Sequence, residues 1–318
     1  MSNVIDWICQ GDVFIHYLVK RDLLDYQESD LSNLRDKILY QGYGLILKEL
    51  QDKKTFMWGN GIYSPKYIST HYTLLELCQL GANLKEHNYI EAVKLLIDNM
   101  WFKLGKVNAY RHQDICVVAM MVRFACYVGL NDIRINEMID YILSNQMIDG
   151  GYNCAYERKP APKQSSLHTT VNVLEAFSTY IKMGYIYRSK EIELKASEGI
   201  EYILSKRLFR SVRTGEVIHK SMLEFTFPYN WRYDILRALE VMCELKHEYD
   251  ERMKDAIDTI IDRLDEFGRI KADGKSPGPI NIRYTKKNQL CPYNTYRVLK
   301  VLKYYSEDLY LKYVEKVM

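Results

Sequence analysis

The sequence predicts an all-α protein: a closed α/α toroid in which about six helical hairpins form a double ring, within a single domain spanning residues 1–318. Apolar residues recur at helical spacing along almost the whole chain, and no strand-like alternation is evident. Proline, which interrupts helices, makes up only 7 of the 318 residues. Small polar residues suited to begin a helix recur at separations of 44 to 65 residues, which indicates a repeated hairpin unit.

The first helix of each hairpin is predicted to begin at one of these polar residues, namely Asp12, Thr70, Asp114, Thr169, Asp234 and Asn294. Three of these helices are followed by Gly81, Gly129 and Gly184, where a left-handed residue commonly ends a helix. Segment 115–122 is apolar on most of its circumference, which is typical of a helix covered on all sides. We therefore expect these first helices to form the inner ring.

The second helix of each hairpin is predicted to form the outer ring. These outer helices are expected at 31–50, 87–102, 133–146, 191–208, 250–267 and 307–317. The sequence Tyr-Ile-Leu-Ser at 141–144 recurs at 202–205, 61 residues later, which supports a duplicated unit. Segment 251–263 keeps a polar stripe, as an outer helix facing solvent should.

Composition excludes several classes of protein. The chain has 44 Lys and Arg against 41 Asp and Glu, so its formal charge of +3 does not predict a nucleic-acid-binding surface. The seven cysteines are odd in number and contain no Cys-x-x-Cys pair, which favours reduced thiols in the cytoplasm. The longest apolar run, 115–122, is far too short for a transmembrane segment, and the N-terminus lacks the features of a secretory signal.

One motif resembles a known family. The sequence Asn-Gln-Met-Ile-Asp-Gly-Gly-Tyr at 145–152 resembles the Gln-x-x-Asp-Gly-Gly-aromatic repeat of squalene cyclases and protein prenyltransferase β subunits, and 264–270 looks like a degenerate copy. The helix starts at 165–175 and 227–237 are similar to those of uncharacterised bacterial proteins with the same repeat. The resemblance implies an α/α toroid of the terpenoid-cyclase and prenyltransferase superfamily.

This resemblance implies an enzyme that binds an anionic, isoprenoid-like small molecule, such as an isoprenoid diphosphate, in a central aromatic cavity. Parallel inner helices would direct their N-termini and positive dipole ends to one mouth, where cations and aromatic rings also cluster by sequence. The predicted ligand-binding residues are Arg232, Arg111, Lys66, Tyr67, Trp231, Tyr152, Tyr293 and Asn294. The alternative is that the cations are solvated loop charges and the rings fill gaps between helices.

Zinc is the one cofactor that the resemblance suggests. Asp114, Cys116 and His168 resemble the Asp-x-Cys and His zinc ligands of protein prenyltransferase β subunits. Residues two apart on a helix point in different directions, so Asp114 and Cys116 converge only if the helix begins between them. The alternative is that Asp114 caps the helix and Cys116 is a small core residue.

The predicted acid/base residues are His168, Asp234, His71 and Asp114. Asp234 is equally well explained as a helix cap with a structural ion pair. Neither the Asp-x-Asp-Asp motif nor the Asp-Asp-x-x-Asp motif of terpene cyclases occurs in the chain. Two other functions therefore stay open: a carbohydrate-active α/α-toroid enzyme and a non-catalytic helical-repeat scaffold.

Overall fold

The computed structural model describes residues 3–101, 106–108, 111–154, 162–274 and 278–316, without the side chains of 106–108 and 111–112. Apart from two short strands, the regular secondary structure of the described residues is helical, which confirms the all-α prediction. Its helices are α1 (Val4–Ile8), α2 (Val13–Asp22), α3 (Glu28–Lys37), α4 (Gly42–Glu49), α5 (Thr70–Gln79), α6 (His87–Met100), α7 (Ile115–Tyr127), α8 (Arg134–Ser144), α9 (Leu167–Lys182), α10 (Ser189–Ser205), α11 (Ile235–Glu244), α12 (Lys254–Ile261), α13 (Pro292–Tyr305) and α14 (Glu307–Glu315).

Two short elements were not expected from the sequence. Strands β1 (Lys106–Asn108) and β2 (Arg111–His112) form a two-stranded antiparallel hairpin before α7. The predicted outer helix 31–50 is also wrong as a single helix, because the chain turns at Tyr40 and Gln41 and divides it into α3 and α4. In the described residues, none of the helices combines the length and the apolar character needed to cross a bilayer.

The chain forms two compact units. The first contains residues 1–83, 217–230 and 234–318, and the second contains 84–216 with 231–233. In the second unit, α7 packs against α9, while α8 and α10 pack against α7 and α9 respectively. Nearly every residue of α7 and most of α9 are buried, as predicted for inner helices. The prediction of a single domain stays a prediction.

In the first unit, the beginning and the end of the chain meet. Helix α13 packs against α11, α14 and also α2, and the pairs α2 with α3 and α11 with α12 form hairpins. Tyr296 of α13 donates its hydroxyl proton to Asp22 at the end of α2. Tyr310 of α14 donates to the Leu23 carbonyl at 2.8 Å. The first and last predicted hairpins are therefore direct neighbours.

The predicted helix starts are correct at three inner helices and wrong at three. Asp12, Asp114 and Asp234 directly precede α2, α7 and α11, and the carboxylates of Asp12 and Asp234 accept hydrogen bonds from first-turn N–H groups. The other three helices are capped earlier than predicted, by Ser69, Ser166 and Cys291. Gly81, Gly129 and Gly184 all have positive φ just after α5, α7 and α9, as predicted.

The Gln-x-x-Asp-Gly-Gly motif builds a turn. Gln146 donates its side-chain N–H to the Gly150 carbonyl at 2.6 Å, and Asp149 accepts from the Ser165 hydroxyl at 2.5 Å and the Ser165 N–H at 2.9 Å. A Cβ on Gly151 would lie 2.6 Å from the Ser165 Cβ, so only glycine fits there. The side chains of Gln146 and Asp149 thus form hydrogen bonds that hold the turn and attach it to Ser165.

In the described residues, three turns are joined to a buried helix in the same way, and the one at 52–57 is one residue longer than those at 147–151 and 265–269. The Asp52, Met147 and Asp265 N–H groups donate to carbonyls of Met57, Gly151 and Arg269, each at 2.9 Å. The next residue then donates its N–H to a threonine hydroxyl: Trp58 to Thr70 at 3.1 Å, Tyr152 to Thr170 at 3.0 Å, and Ile270 to Thr295 at 3.1 Å. The degenerate copy predicted at 264–270 is therefore a true structural repeat.

Replacing Thr170 by Val should lower the free energy of unfolding by about 1–3 kcal/mol, because the buried Tyr152 N–H loses its acceptor. Thr170→Ser keeps the hydroxyl and should lose less than about 1 kcal/mol. Urea denaturation of the three proteins measures the difference. Equal stability of the Val and Ser variants would show that this hydrogen bond contributes nothing.

Candidate functional site

The predicted site residues fall into both units. His71, Asp234, Lys66, Tyr67, Tyr293 and Asn294 belong to the first unit, and Asp114, Cys116, His168, Trp231, Arg232 and Tyr152 belong to the second. The side chain of Arg111 lies outside the described part of the chain. The two groups are described separately below.

His71 is fully buried on α5. Its ring lies 5.0 Å from the Tyr63 ring and 5.1 Å from the Tyr72 ring, centroid to centroid. Burial lowers the pKa of His71 to about 3. The imidazole is therefore neutral at physiological pH and cannot act there as an imidazolium acid.

Asp234 lies in a buried network of charged groups. Its Oδ1 accepts the Arg237 N–H at 2.8 Å and lies 3.7 Å from the Arg297 guanidinium, which also pairs with Glu240 at 2.8 Å. Both arginine guanidiniums stack on the Tyr229 ring, at 4.5 and 5.0 Å from its centroid. Asp234 is thus both a helix cap and an ion-pair partner of the buried Arg297. This arrangement is the structural alternative to an acid/base role that the sequence left open.

Asn294 joins α13 to the segment before α11. Its side-chain amide donates to the Phe225 carbonyl at 2.9 Å, and its Oδ1 lies 3.4 Å from the Arg297 Nη1 that donates to it. Asn294 is completely buried. Within the described residues, these contacts hold two backbone segments of the first unit together.

The region around the start of α5 contains Lys66 and Tyr67. Lys66 is exposed, with its Nζ 5.7 Å from the Tyr63 ring centroid, and the half-buried Tyr67 packs against Tyr72 at 5.1 Å. The expectation that helix N–H groups are available to an anion is wrong here. The Thr70 and His71 N–H groups donate to loop carbonyls at 3.0 and 2.9 Å.

Glu76, on α5, was not predicted as a site residue. Its side chain is only 4% exposed, its Oε1 accepts the Tyr284 hydroxyl at 2.7 Å, and its Oε2 accepts the Asn281 amide at 3.3 Å. Burial raises the pKa of Glu76 from 4.5 to about 7, and the two hydrogen bonds limit the rise. A large part of the Glu76 population is therefore a neutral acid at physiological pH.

An aromatic cluster adjoins Glu76 through Tyr284. It consists of Phe14, Tyr43, Phe227, Tyr284 and Tyr293. Tyr284 lies edge-on to Tyr43 at 4.8 Å and to Phe227 at 5.0 Å, and Tyr293 stacks on Phe227 at 5.1 Å. Of the predicted ligand-binding residues, Tyr293 is the one that belongs to this cluster.

In the second unit, His168 is held by the segment before α11. Its Nδ1 accepts the Tyr233 N–H at 2.8 Å, so a neutral ring carries its proton on Nε2. The Trp231 ring lies 5.4 Å from the His168 ring, and the Trp231 carbonyl accepts the Asn172 amide at 3.0 Å. The predicted acid/base residue His168 and the predicted ligand-binding residue Trp231 therefore lie side by side. Tyr152 is completely buried, and Arg232 is half-buried.

The structure pairs Cys116 with Cys154, a residue that the sequence did not single out. Cys154 Sγ accepts the Cys116 backbone N–H at 3.1 Å and the Thr169 hydroxyl at 3.3 Å. The hydrogen bond donated by the Cys116 thiol lowers the pKa of Cys154, and the same bond, followed by burial, raises the pKa of Cys116. The two cysteines are 38 residues apart, so no spacing motif could reveal the pair.

The structure meets one condition for the predicted zinc site and not the other. Helix α7 begins at Ile115, between Asp114 and Cys116, which is the condition for their convergence. Among the described residues, however, no three His, Cys, Asp or Glu side chains are grouped so that they could hold a metal ion. Asp114, Cys116 and His168 therefore do not form a metal-binding group in this structure.

Comparison of the sequence with protein-family models and with curated proteins gives no match. The resemblance to squalene cyclases and prenyltransferase β subunits accordingly stays a prediction.

Replacing Glu76 by Gln should stabilise the protein at high pH. The Glu76 pKa rises from 4.5 to about 7 on folding, so the native state loses stability as the pH rises through this window. Glu76→Gln removes that loss, and its advantage should grow from near zero at pH 4.5 to about 3 kcal/mol at pH 8. Urea denaturation at both pH values measures it.

A matched control is Glu175→Gln on α9, which breaks the 2.7 Å ion pair with Arg123. This variant should be less stable than wild type at pH 8. A Glu76→Gln advantage that is the same at both pH values would contradict the raised pKa.

Proposed function

We propose that this protein is an α/α-toroid enzyme of the terpenoid-cyclase and prenyltransferase type, in which Glu76 protonates an isoprenoid ligand beside the aromatic cluster. The observation that carries the proposal is the buried Glu76 carboxyl, hydrogen-bonded by a tyrosine whose ring belongs to a five-ring cluster. An acid of this kind can start terpene chemistry without the two acidic motifs that the sequence lacks.

The role of Glu76 follows from its protonation. A general acid is most effective when its pKa lies near the working pH, and burial brings the Glu76 pKa to about 7. In the proposed step the Glu76 O–H bond breaks and its proton forms a C–H bond with one alkene carbon. The other alkene carbon becomes a tertiary cation and Glu76 becomes a carboxylate.

The following steps regenerate the acid. The electron pair of a second C=C bond attacks the cation and closes a ring, and a proton is then lost to water. Glu76 recovers its proton from solvent. The product is an isomer of the substrate, and any diphosphate group is retained.

The aromatic cluster supplies the environment that such a cation needs. The faces of Phe and Tyr rings attract a cation through their quadrupole, by about 1–2 kcal/mol each where water is excluded. Phe14, Phe227 and Tyr293 are stacked within 5.1 to 5.8 Å of one another, and Tyr284 links them to Glu76. In the proposed reaction, the ligand lies against this cluster beside the hydrogen bond between Glu76 and Tyr284.

Lys66 is the candidate partner of an anionic head group. It is exposed near the start of α5, and Glu76 lies six residues further along the helix from Thr70, a rise of about 9 Å. An isoprenoid whose diphosphate pairs with Lys66 would extend along α5 toward Glu76. In this proposal Lys66, and not the helix N–H groups, binds the anionic head group.

Closure of the hairpins into a toroid is part of the proposal. In an open solenoid the first and last repeats are far apart, whereas a ring makes them neighbours. The contacts of α13 and α14 with α2 and Leu23, within the first unit, support closure.

A double-mutant cycle tests this contact. Asp22→Asn and Tyr296→Phe should show a coupling energy of about 0.5–3 kcal/mol in the free energy of unfolding, because they remove the same hydrogen bond. Asp22→Asn combined with Tyr305→Phe, which lies on the same helix and bonds to the His247 carbonyl, should be additive. Additivity in both cycles would argue for an open array.

Activity is tested with farnesyl and geranylgeranyl diphosphate at pH 6.5 in the presence of EDTA. Cyclic products that retain the diphosphate should be detected by gas chromatography and mass spectrometry after phosphatase treatment. Glu76→Gln should lower the rate at least about 100-fold, while the ligand-induced rise in melting temperature is kept. Lys66→Gln should raise KM and leave kcat nearly unchanged.

Two results would overturn the proposal. One is full activity of Glu76→Gln. The other is the absence of both product and a rise in melting temperature with either diphosphate. Stabilisation by oligosaccharides instead of isoprenoids would favour the carbohydrate-active alternative.

A further inference from the structure

The second unit contains a site that the proposed isoprenoid chemistry does not use. It is the thiol pair Cys116 and Cys154, with Thr169 beside it. Both cysteines are partly exposed, whereas Cys126, on the same helix as Cys116, is only 1% exposed. The pair therefore lies nearer the surface than Cys126 does.

Two hydrogen-bond donors face the sulfur of Cys154. Cys116 is the second residue of α7, so its N–H is one of the donors at a helix N-terminus that lack a partner within the helix. This N–H points to Cys154 Sγ at 3.1 Å, at the positive end of the helix dipole. The Thr169 hydroxyl adds a second donor at 3.3 Å.

Three segments hold the pair in place. Cys154 follows the turn of the Gln-x-x-Asp-Gly-Gly motif, Cys116 is on α7, and Thr169 is on α9, the helix that packs most closely against α7. The Thr169 hydroxyl also accepts the Cys154 backbone N–H at 3.3 Å, so it fixes Cys154 from both its backbone and its sulfur.

We propose that Cys154 and Cys116 form a redox-active dithiol that a hydroperoxide converts into an intramolecular disulfide. Cys154 is the attacking residue, because the Cys116 N–H and the Thr169 hydroxyl both face its sulfur. Cys116 is the resolving residue, because its own backbone N–H contacts that sulfur at 3.1 Å and so brings the two cysteines together. A small oxidant suits a pair that is only partly exposed.

The reaction balances in two steps. The Cys154 thiolate attacks one oxygen of the hydroperoxide, the O–O bond breaks, and an alcohol leaves with a proton from solvent, so that Cys154 becomes a sulfenic acid. The Cys116 sulfur then loses its proton and attacks the Cys154 sulfur, and the hydroxyl leaves as water. Two thiols are oxidised to one disulfide, and one hydroperoxide is reduced to an alcohol and water.

The test uses the full-length, tag-free protein after complete reduction and removal of the reductant. Hydrogen peroxide is added at one to ten equivalents, and the reaction is quenched with N-ethylmaleimide. We expect the intact mass to show one disulfide, a peptide that links residues 116 and 154, and alkylation of the other five cysteines when the protein is unfolded before alkylation.

Variants separate the two roles. Cys116→Ser should stop at a sulfenic acid on Cys154 that dimedone traps. Cys154→Ser should form neither the disulfide nor a dimedone adduct on Cys116. Thr169→Val should slow the loss of the Cys154 thiol several-fold, and Thr169→Ser, which keeps the hydroxyl, should react at nearly the wild-type rate. Melting temperatures within a few degrees of wild type show that each variant is folded.

Two results would overturn the proposal. The first is that Cys116 and Cys154 remain fully alkylatable after peroxide treatment. The second is one zinc per purified chain that is lost in both cysteine variants and protects the thiols from peroxide, because the pair would then belong to a metal site. Neither result bears on Glu76, so this inference and the proposed function fail independently.

Discussion

The architecture depends on one repeated interaction: a threonine hydroxyl on a buried helix accepts the backbone N–H of the residue that follows a turn. It occurs at Thr70, Thr170 and Thr295. A buried backbone N–H without an acceptor is costly, so the threonine determines where the turn lies against the helix. Thr170 and Thr295 are each the fourth residue of their helix, and they accept the N–H groups of Tyr152 and Ile270. The carbonyls of Tyr152 and Ile270 in turn accept the N–H groups of the helix-capping residues Ser166 and Cys291. The loop and the helix start are thus positioned together.

The same constraint explains why polar side chains gather at the beginnings of these buried helices. Polar side chains are needed there to satisfy loop backbone, so buried segments that pack like core helices also carry hydroxyl, amide and carboxyl groups. Glu76 differs from these groups, because it lies in the second half of α5 and accepts hydrogen bonds from two side chains, those of Tyr284 and Asn281. Desolvation raises its pKa to about 7. At two helix starts the acceptor of a first-turn N–H is a sulfur: Cys154 Sγ accepts from Cys116 on α7, and Cys291 Sγ accepts from Asn294 on α13. The requirement of helix starts for acceptors therefore brings Cys116 and Cys154 together in the second unit, whereas burial of a side chain within a helix sets the protonation of Glu76 in the first.

Several residues predicted to belong to a functional site are instead engaged in contacts that hold the fold together. Asp234 caps α11 and faces Arg297, Asn294 holds the Phe225 carbonyl, and Tyr152 is completely buried. A residue suited to cap a helix has the same functional groups as a catalytic residue, so sequence position alone does not separate the two roles. Conversely, Glu76 lies in a mostly apolar segment, 74–80, and glutamate is a common helix-forming residue. The sequence alone therefore does not distinguish Glu76 from an ordinary helix residue, and its burial does.

The sequence by itself determined the all-α class, the helix ends at Gly81, Gly129 and Gly184, and the repeat of the turn at 145–152 and 264–270. These features depend on spacings of a few residues, where side chains interact only with their own helix or turn. Only the tertiary structure decided that Glu76 meets Tyr284, 208 residues away, and that Cys116 meets Cys154, 38 residues away. Desolvation and hydrogen bonding set the chemistry of a side chain, and both come from segments that are distant in sequence and close only after folding.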